Sequence, residues 1–166
     1  MDYEGKAWAK VSQWASGCAQ SKFSAWVQRK ANALWKRDKK KLIAQECAVP
    51  ETTDNEKRAE YRQAIYKAIV EMKENKCPYT GEVLCWNLIG EWENDTAARE
   101  GKEYKKKFAL LPTVDHRNAK PEPDFVICSW VANDAKNDLS YDDFVKLCRA
   151  VVACADKQSR SSPSGL

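Results

Sequence analysis

The sequence predicts an α+β protein in which a helical N-terminal region precedes two short strands and a further helix. Residues 5–46 and 54–75 place apolar side chains at helical spacing. Two short apolar runs, residues 108–116 and 125–130, are typical of strands, and the loop between them holds two prolines that exclude regular pairing. Helical spacing then returns after Asn133. The expected order is therefore a helical region, then two strands, then a further helix.

The helical region is predicted to contain two helices. The first should cover residues 5–46, with an interruption near Gly17, and residues 50–54 should form a break. Asp54 stands where it can cap the second helix, which should end near Asn75. Four tryptophans are expected to pack in the core rather than to stack on bases: Trp8, Trp14, Trp26 and Trp35.

Shorter elements are predicted for the rest of the chain. A turn signal at residues 77–81 precedes a strand-like run at 83–89, and residues 91–107 should form a loop or a short helix. Ser140 is expected to cap a last helix. The serine-rich tail that begins at Gln158 should be disordered.

The composition is that of one ordinary domain, or of one small domain with an appendage. The chain has 166 residues, of which 43% are hydrophobic and 31% charged. No apolar stretch approaches the roughly 18 residues of a membrane span, and the polar, acidic N-terminus does not resemble a secretory signal. These features favour a cytoplasmic protein without a membrane partner.

The cysteines indicate free thiols rather than a disulfide scaffold. There are seven, an odd number, and none belongs to a Cys-x-x-Cys pair. A chain of this length does not need disulfides for stability, and it shows no export signal. We therefore expect buried free cysteines in a reducing compartment.

Positive charge is concentrated in residues 22–41, here called the basic segment. It contains eight lysines and arginines and a single acidic residue, Asp38, within a chain of net charge +4. Such a segment suits a polyanion such as nucleic acid. It is equally typical of a solvated helix face.

The single histidine, His116, follows Asp115 at the end of the first predicted strand. A neutral imidazole can take a proton from water, as phosphodiester hydrolysis requires. In a regular strand, Asp115 and His116 would point to opposite sides. The two side chains can converge only where the strand twists or ends.

Four short motifs follow one another in the second half of the chain: Cys77-x-Tyr-Thr-Gly81, Val114-Asp115-His116, Phe125-Val-Ile-Cys128 and Asn133-x-x-Lys136-Asn137. With these motifs, residues 77–149 resemble the HNH endonuclease family, in an HNN-type variant, and so imply a ββα-metal fold. The resemblance covers a little under half of the chain. The activity that the resemblance implies is metal-dependent cleavage of DNA, with His116 as general base.

The resemblance also implies a set of metal ligands. Asp115 matches a metal ligand of the family, and Asn133 matches a second ligand in a place often filled by histidine. Asn137 falls where many members carry another histidine, so it is either a ligand or a helix cap. One carboxylate with one amide suits a single hard cation, Mg²⁺ or Mn²⁺.

One family position is not clearly matched. The family places an asparagine just before the second strand, where it orients the general base. Pro123 or Asp124 stands there in this chain. Asp124 could hold the Nδ1–H of His116, and Asn118 is a nearer alternative.

Many family members also bind a structural zinc through two Cys-x-x-Cys pairs. Cys77 and Cys128 match the first cysteine of each pair, whereas Thr80 and Val131 stand in the second places. A tetrahedral zinc site needs all four ligands, so no structural zinc is expected.

Nucleic-acid contacts are predicted for five basic residues. Arg117 and Lys136 would face phosphate beside the site, and the alternative for Lys136 is a surface pair with Asp134 or Asp138. Lys39, Lys40 and Lys41 of the basic segment would bind the backbone non-specifically.

The predicted organisation has three parts and supports three functional hypotheses. Residues 1–75 form a basic helical region, residues 76–156 an HNH-like nuclease domain and residues 157–166 a disordered tail. The leading hypothesis is a DNA endonuclease. The alternatives are a nucleic-acid-binding module with a decayed site, and a nuclease toxin or defence subunit that binds a protein partner through its N-terminal helices.

Overall fold

The computed structural model describes residues 2–45 and 53–161, and it confirms the mixed α+β class. The two strands are β1 (Pro112–His116) and β2 (Phe125–Ser129), and a single 3₁₀ turn covers Trp86–Leu88. The helices are α1 (Tyr3–Trp14), α2 (Gln20–Ala44), α3 (Asp54–Glu71), α4 (Asn94–Glu100), α5 (Lys102–Lys107), α6 (Trp130–Lys136) and α7 (Tyr141–Ser161). The predicted break at residues 50–52 and the thiol of Cys47 lie outside the described residues.

The predicted interruption of the first helix is confirmed. Helix α1 ends at Trp14, and Gly17 has a φ of 100°, a left-handed conformation that glycine adopts without strain. The cap of α3 is Thr53 rather than Asp54. The Thr53 hydroxyl accepts from the Glu56 N–H while the Glu56 carboxylate accepts from the Thr53 N–H, a capping box. Helix α3 ends at Glu71, short of the predicted Asn75.

The strand predicted at residues 83–89 is wrong. Only Val83 pairs in strand fashion, through an isolated bridge to Lys76, and the segment then turns into the 3₁₀ turn. The side chain of Asn75 accounts for this conformation. Its amide donates to the Leu84 carbonyl at 3.0 Å and accepts from the Trp86 indole N–H at 2.7 Å. These bonds replace those that a neighbouring strand would supply.

One core joins the N-terminal helices to the sheet. Phe23 and Trp26 of α2 pack against Trp86, and Tyr61 of α3 meets Phe125 of β2 edge to face. Of the four tryptophans predicted to be core residues, Trp26 and Trp35 are buried, whereas Trp8 and Trp14 are partly buried. The segments 1–75 and 76–156 therefore share their hydrophobic core, and α2 and α3 form one wall of the sheet.

The two strands and α6 occur in the predicted order. The strands are antiparallel, and their register places Asp115 opposite Val126 and His116 opposite Phe125. Helix α6 follows β2 directly, capped by the Ser129 hydroxyl, and so begins three residues before the predicted Asn133. This early start places Asn133 in the middle of α6, with Lys136 as the last residue of the helix.

Helix α7 leaves the body of the protein after the predicted Ser140 cap, which accepts from the Asp143 N–H at 3.2 Å. It is anchored by Tyr79, whose ring stacks on Tyr141 and meets Phe144 edge to face. The helix continues to Ser161, so the prediction of disorder from Gln158 onwards is wrong for residues 158–161. Residues 162–166 lie outside the described residues. None of the described helices has the length and apolar character needed to cross a membrane.

Candidate active site

His116 lies at the end of β1, and its ring is held by two consecutive residues of α2. Its Nε2 lies 2.7 Å from Asp38 Oδ2, and its Nδ1 lies 2.7 Å from a terminal nitrogen of Arg37. The ring of Phe125 packs edge to face on the imidazole. With only 5% of its surface exposed, His116 is a buried residue whose two nitrogens both have partners.

These partners fix the tautomer of His116. A guanidinium can only donate hydrogen bonds, so Nδ1 accepts from Arg37 and carries a lone pair. The ring proton is then on Nε2, which donates to the Asp38 carboxylate. His116 is therefore neutral, with its basic nitrogen turned towards Arg37. A base held from behind by a carboxylate is the arrangement that general-base catalysis uses.

Asp38 is the partner of His116 that the sequence did not predict. It is buried, and its Oδ2 also accepts from the Tyr61 hydroxyl at 2.8 Å. Burial, together with this bond to a carboxylate, raises the pKa of Tyr61 well above its usual range, so the phenol stays a donor. Asp38 Oδ1 makes no hydrogen bond to the described residues. The sequence did contain one signal, because Asp38 is the only acidic residue of the basic segment.

Asp115 has a different set of partners, Tyr79 and Lys136. Its Oδ2 accepts from the Tyr79 hydroxyl at 2.6 Å and lies 3.0 Å from the Lys136 ammonium. Lys136 is 1% exposed, so this is a buried ion pair. Burial and the bond to Asp115 raise the pKa of Tyr79 well above its usual range. Neither Asp134 nor Asp138, the two predicted partners, pairs with Lys136.

A narrow cleft brings the two carboxylates and the imidazole together at the end of β1. Asp115 and His116 both line it, so the convergence expected at the strand end does occur. Four basic and three acidic residues contribute to its walls: Arg37, Lys41, Lys120 and Lys136 with Asp38, Asp115 and Asp138. Because His116 is neutral, basic residues outnumber acidic ones by one. The cleft has a volume of only about 10 Å³, so it must open before it can hold an anionic ligand.

The loop between the strands does not supply the predicted orienter of His116. Asp124 accepts from Arg117 Nε at 3.1 Å and from the Asn118 amide at 3.2 Å. These bonds hold Asp124 within its own loop, and the nitrogens of His116 bind Asp38 and Arg37 instead. Arg117, predicted to bind phosphate, also lies near Glu71.

The two asparagines of the predicted metal site occupy different environments. Asn133 lies within α6, where its carbonyl accepts from the Asn137 N–H, and it is not among the residues that line the cleft. Asn137 ends α6 with a φ of 49° and does line the cleft. Of the two roles predicted for Asn137, the structure shows the helix cap.

The residues around Asp115 do not fit a divalent cation in this arrangement. Its carboxylate is already neutralised by Lys136, and a metal ion would have to displace that buried ammonium. Within residues 2–45 and 53–161, no group of three or more histidine, cysteine, aspartate or glutamate side chains is placed to hold a metal. Dependence on Mg²⁺ or Mn²⁺ therefore stays a prediction.

The two cysteines at the predicted zinc positions lie in the core beside Ser129. The N–H and hydroxyl of Ser129 both point at Cys77 Sγ, at 3.4 and 3.5 Å. Burial alone would raise the pKa of Cys77, but these bonds, together with those from Thr80 and the Tyr79 backbone, outweigh it and the pKa is lowered. Burial raises the pKa of Cys128 well above its usual range. All six described cysteines are free thiols, but only Cys77 and Cys128 are buried, so the expected burial is wrong for the other four.

Much of the basic segment is engaged within the protein. Lys30 donates to the Thr113 hydroxyl, and its burial lowers its pKa. Lys39 pairs with Asp54 and Lys41 with Asp138, so two of the three lysines predicted to bind DNA already have partners.

A smaller part of the basic segment is exposed to solvent and forms no ion pair with the described residues. Arg29, Lys36 and Lys40 are exposed on α2 at spacings of seven and four residues, which place them on one side of the helix. None of the three forms an ion pair with any described residue. We call these three residues the open face of α2.

No known protein family, curated protein or solved structure matches this chain.

Proposed function

We propose that this chain is an endonuclease that hydrolyses phosphodiester bonds in DNA, with His116 as the general base. The observation that carries the proposal is the Asp38–His116 pair, in which a buried carboxylate holds Nε2–H and leaves a lone pair on Nδ1. This pair lies in a cleft lined by four basic and three acidic residues. A base beside a guanidinium that can bind phosphate suits the attack of water on a phosphodiester.

The chemistry requires Arg37 to exchange one partner for another. In the free protein, its guanidinium covers Nδ1 of His116, and its side chain is half exposed. A phosphate oxygen is a stronger acceptor for a guanidinium than a neutral imidazole is. On binding phosphate, Arg37 would release Nδ1, which then accepts the proton of the attacking water. Asp38 would stabilise the imidazolium that forms.

The resemblance adds a divalent ion, which Asp115 and Asn133 would bind. Lys136 neutralises Asp115, so the ion would have to displace the Lys136 ammonium in order to bind there. The deciding experiment is an assay of supercoiled plasmid with the purified chain, in Mg²⁺ and in EDTA. Nicked or linear product in Mg²⁺ supports the proposal. Product formed equally in EDTA would contradict the predicted metal dependence.

The second candidate is a DNA-binding module without catalysis. One observation favours it: both nitrogens of His116 and the Asp115 carboxylate are occupied by protein groups. The same plasmid assay separates the candidates. Retarded migration of intact plasmid, with no product in either Mg²⁺ or EDTA, would support the binding module and contradict the nuclease.

Charge reversal on the open face of α2 should weaken DNA binding at every sequence tested. Replacing Arg29, Lys36 and Lys40 with glutamate would remove up to three phosphate contacts. Each contact contributes about 0.9 to the slope of log affinity against log salt on duplex DNA, so the slope should fall by up to about 2.7. Fluorescence anisotropy with a labelled duplex at several salt concentrations measures the slope.

A matched control carries the same change of charge elsewhere. Lys6, Lys102 and Lys105 are exposed residues of α1 and α5. Replacing them with glutamate should lower the affinity slightly through net charge and leave the slope close to that of the wild type. Equal slopes for the wild type and the α2 variant would show that this face does not contact DNA.

A further inference from the structure

Helix α7 stands away from the core after Val145 and exposes an apolar surface. Leu147, Val151 and Val152 are 50%, 60% and 58% exposed. Leu147 and Val151 lie on the side of the helix that begins with Phe144, the last residue anchored on Tyr79, and Val152 lies at the edge of that side. We call this surface the α7 stripe: Phe144, Leu147, Cys148, Val151, Cys154 and Ala155. Contiguous exposed apolar surfaces of this kind mark interaction sites.

The spacing of the α7 stripe is that of a helix that pairs with another helix. Phe144 and Val151 are seven residues apart, and so are Leu147 and Cys154, which gives alternate steps of three and four. In a two-helix pair, these residues occupy the central positions. Asp143 and Lys157 then flank the seam on the same edge, one near each end of the helix. The stripe therefore has opposite charges at its two ends.

This charge pattern makes α7 complementary to itself. We propose that α7 binds α7 of a second copy of this chain in antiparallel orientation. In that arrangement, Leu147 packs against Val151 of the other copy, and Val151 against Leu147. Asp143 of each copy lies beside Lys157 of the other, so the same ion pair forms twice by symmetry. The proposal rests on α7 alone and does not depend on the proposed nuclease activity.

A parallel pair is disfavoured by the same residues. It would place the acidic start of each helix, with Asp142 and Asp143, beside the acidic start of the other. It would also crowd the two protein bodies, because each is joined to the first turn of α7 through Tyr79. The antiparallel pair places the bodies at opposite ends of a helix that is about 31 Å long.

The expected dimer is weak and depends on concentration. A single seam along one helix buries less area than the roughly 1,200–2,000 Å² of standard stable interfaces. Sedimentation equilibrium of the full chain, under reducing conditions and over a wide range of concentration, should give a reversible monomer–dimer equilibrium. A monomer at every concentration would overturn the proposal. The stripe would then be a binding surface for a different protein.

Two aspartate substitutions test the surface. Val151→Asp places a charge in the centre of the seam and should abolish the dimer. Ala153→Asp places the same charge on the opposite side of α7 and should leave the dimer intact. Val151 and Ala153 are both exposed, so neither change touches the core. Equal association by the two variants would overturn the proposal.

Two neighbouring acidic residues test the orientation. Asp143→Asn keeps a side-chain oxygen that can accept from the Ser140 hydroxyl, so the start of α7 is preserved. It removes two ion pairs from an antiparallel dimer and should weaken dimerisation about threefold to tenfold. Asp142→Asn removes the same charge from the far side of the helix and should have no comparable effect. A tighter dimer with Asp143→Asn would indicate a parallel pair and overturn the antiparallel assignment.

Discussion

Replacing His116 with glutamine is expected to lower the rate of DNA cleavage by about 10²- to 10⁴-fold while the chain stays folded. The glutamine amide can donate to Asp38 Oδ2 in place of the ring N–H, so the buried carboxylate keeps a donor. It cannot take a proton from water. Alanine is a poorer choice, because it would leave the Asp38 carboxylate facing a cavity and would lower stability as well as activity.

Two measurements make this prediction decisive. Initial rates of plasmid nicking report the chemistry, and the urea midpoint followed by circular dichroism reports the fold. Asn118→Ala serves as the control, because Asn118 bonds to Asp124 in the strand loop and not to His116. It should cleave at close to the wild-type rate. Cleavage by His116→Gln at a rate within a fewfold of the wild type would show that His116 is not the base.

The fold could be predicted from the sequence where local pattern decides structure. The interruption at Gly17 and the cap at Ser140 are confirmed because each depends on the conformational preference of one residue. The strand predicted at 83–89 failed because the Asn75 side chain supplies the bonds of that segment. Such side-chain bonds leave no periodic trace in a sequence.

The candidate site could be predicted only in part, for a related reason. Asp115 and His116 are consecutive, and their position at a strand end could be recognised from the pattern. The partner of His116 is Asp38, which lies 78 residues earlier and reaches the ring only because α2 packs on the sheet. Spacing within a motif carries no information about such a contact. Asp124 was predicted because it stands at the family position just before the second strand, and its own loop holds it instead.

Of the substitutions considered for this chain, removing the Lys136 ammonium should produce the largest loss in the free energy of unfolding. Lys136→Met leaves the Asp115 carboxylate buried without its partner, and breaking a buried ion pair in this way costs about 3–5 kcal/mol. The Tyr79 hydroxyl would remain as its one hydrogen-bond donor and would not neutralise the charge. Urea unfolding of the variant and the wild type, followed by circular dichroism, measures the difference.

Two further variants separate the buried charge from the other effects of the substitution. Lys41→Met breaks the exposed pair with Asp138, which has similar geometry at 2.9 Å, and should cost less than about 1 kcal/mol. Adding Asp115→Asn to Lys136→Met removes the unpaired charge yet keeps an acceptor for Tyr79, so most of the lost stability should return. If Lys136→Met costs no more than Lys41→Met, the Asp115–Lys136 pair is not a buried charge pair in solution. Asp115 would then be free to bind a cation, as the resemblance predicts.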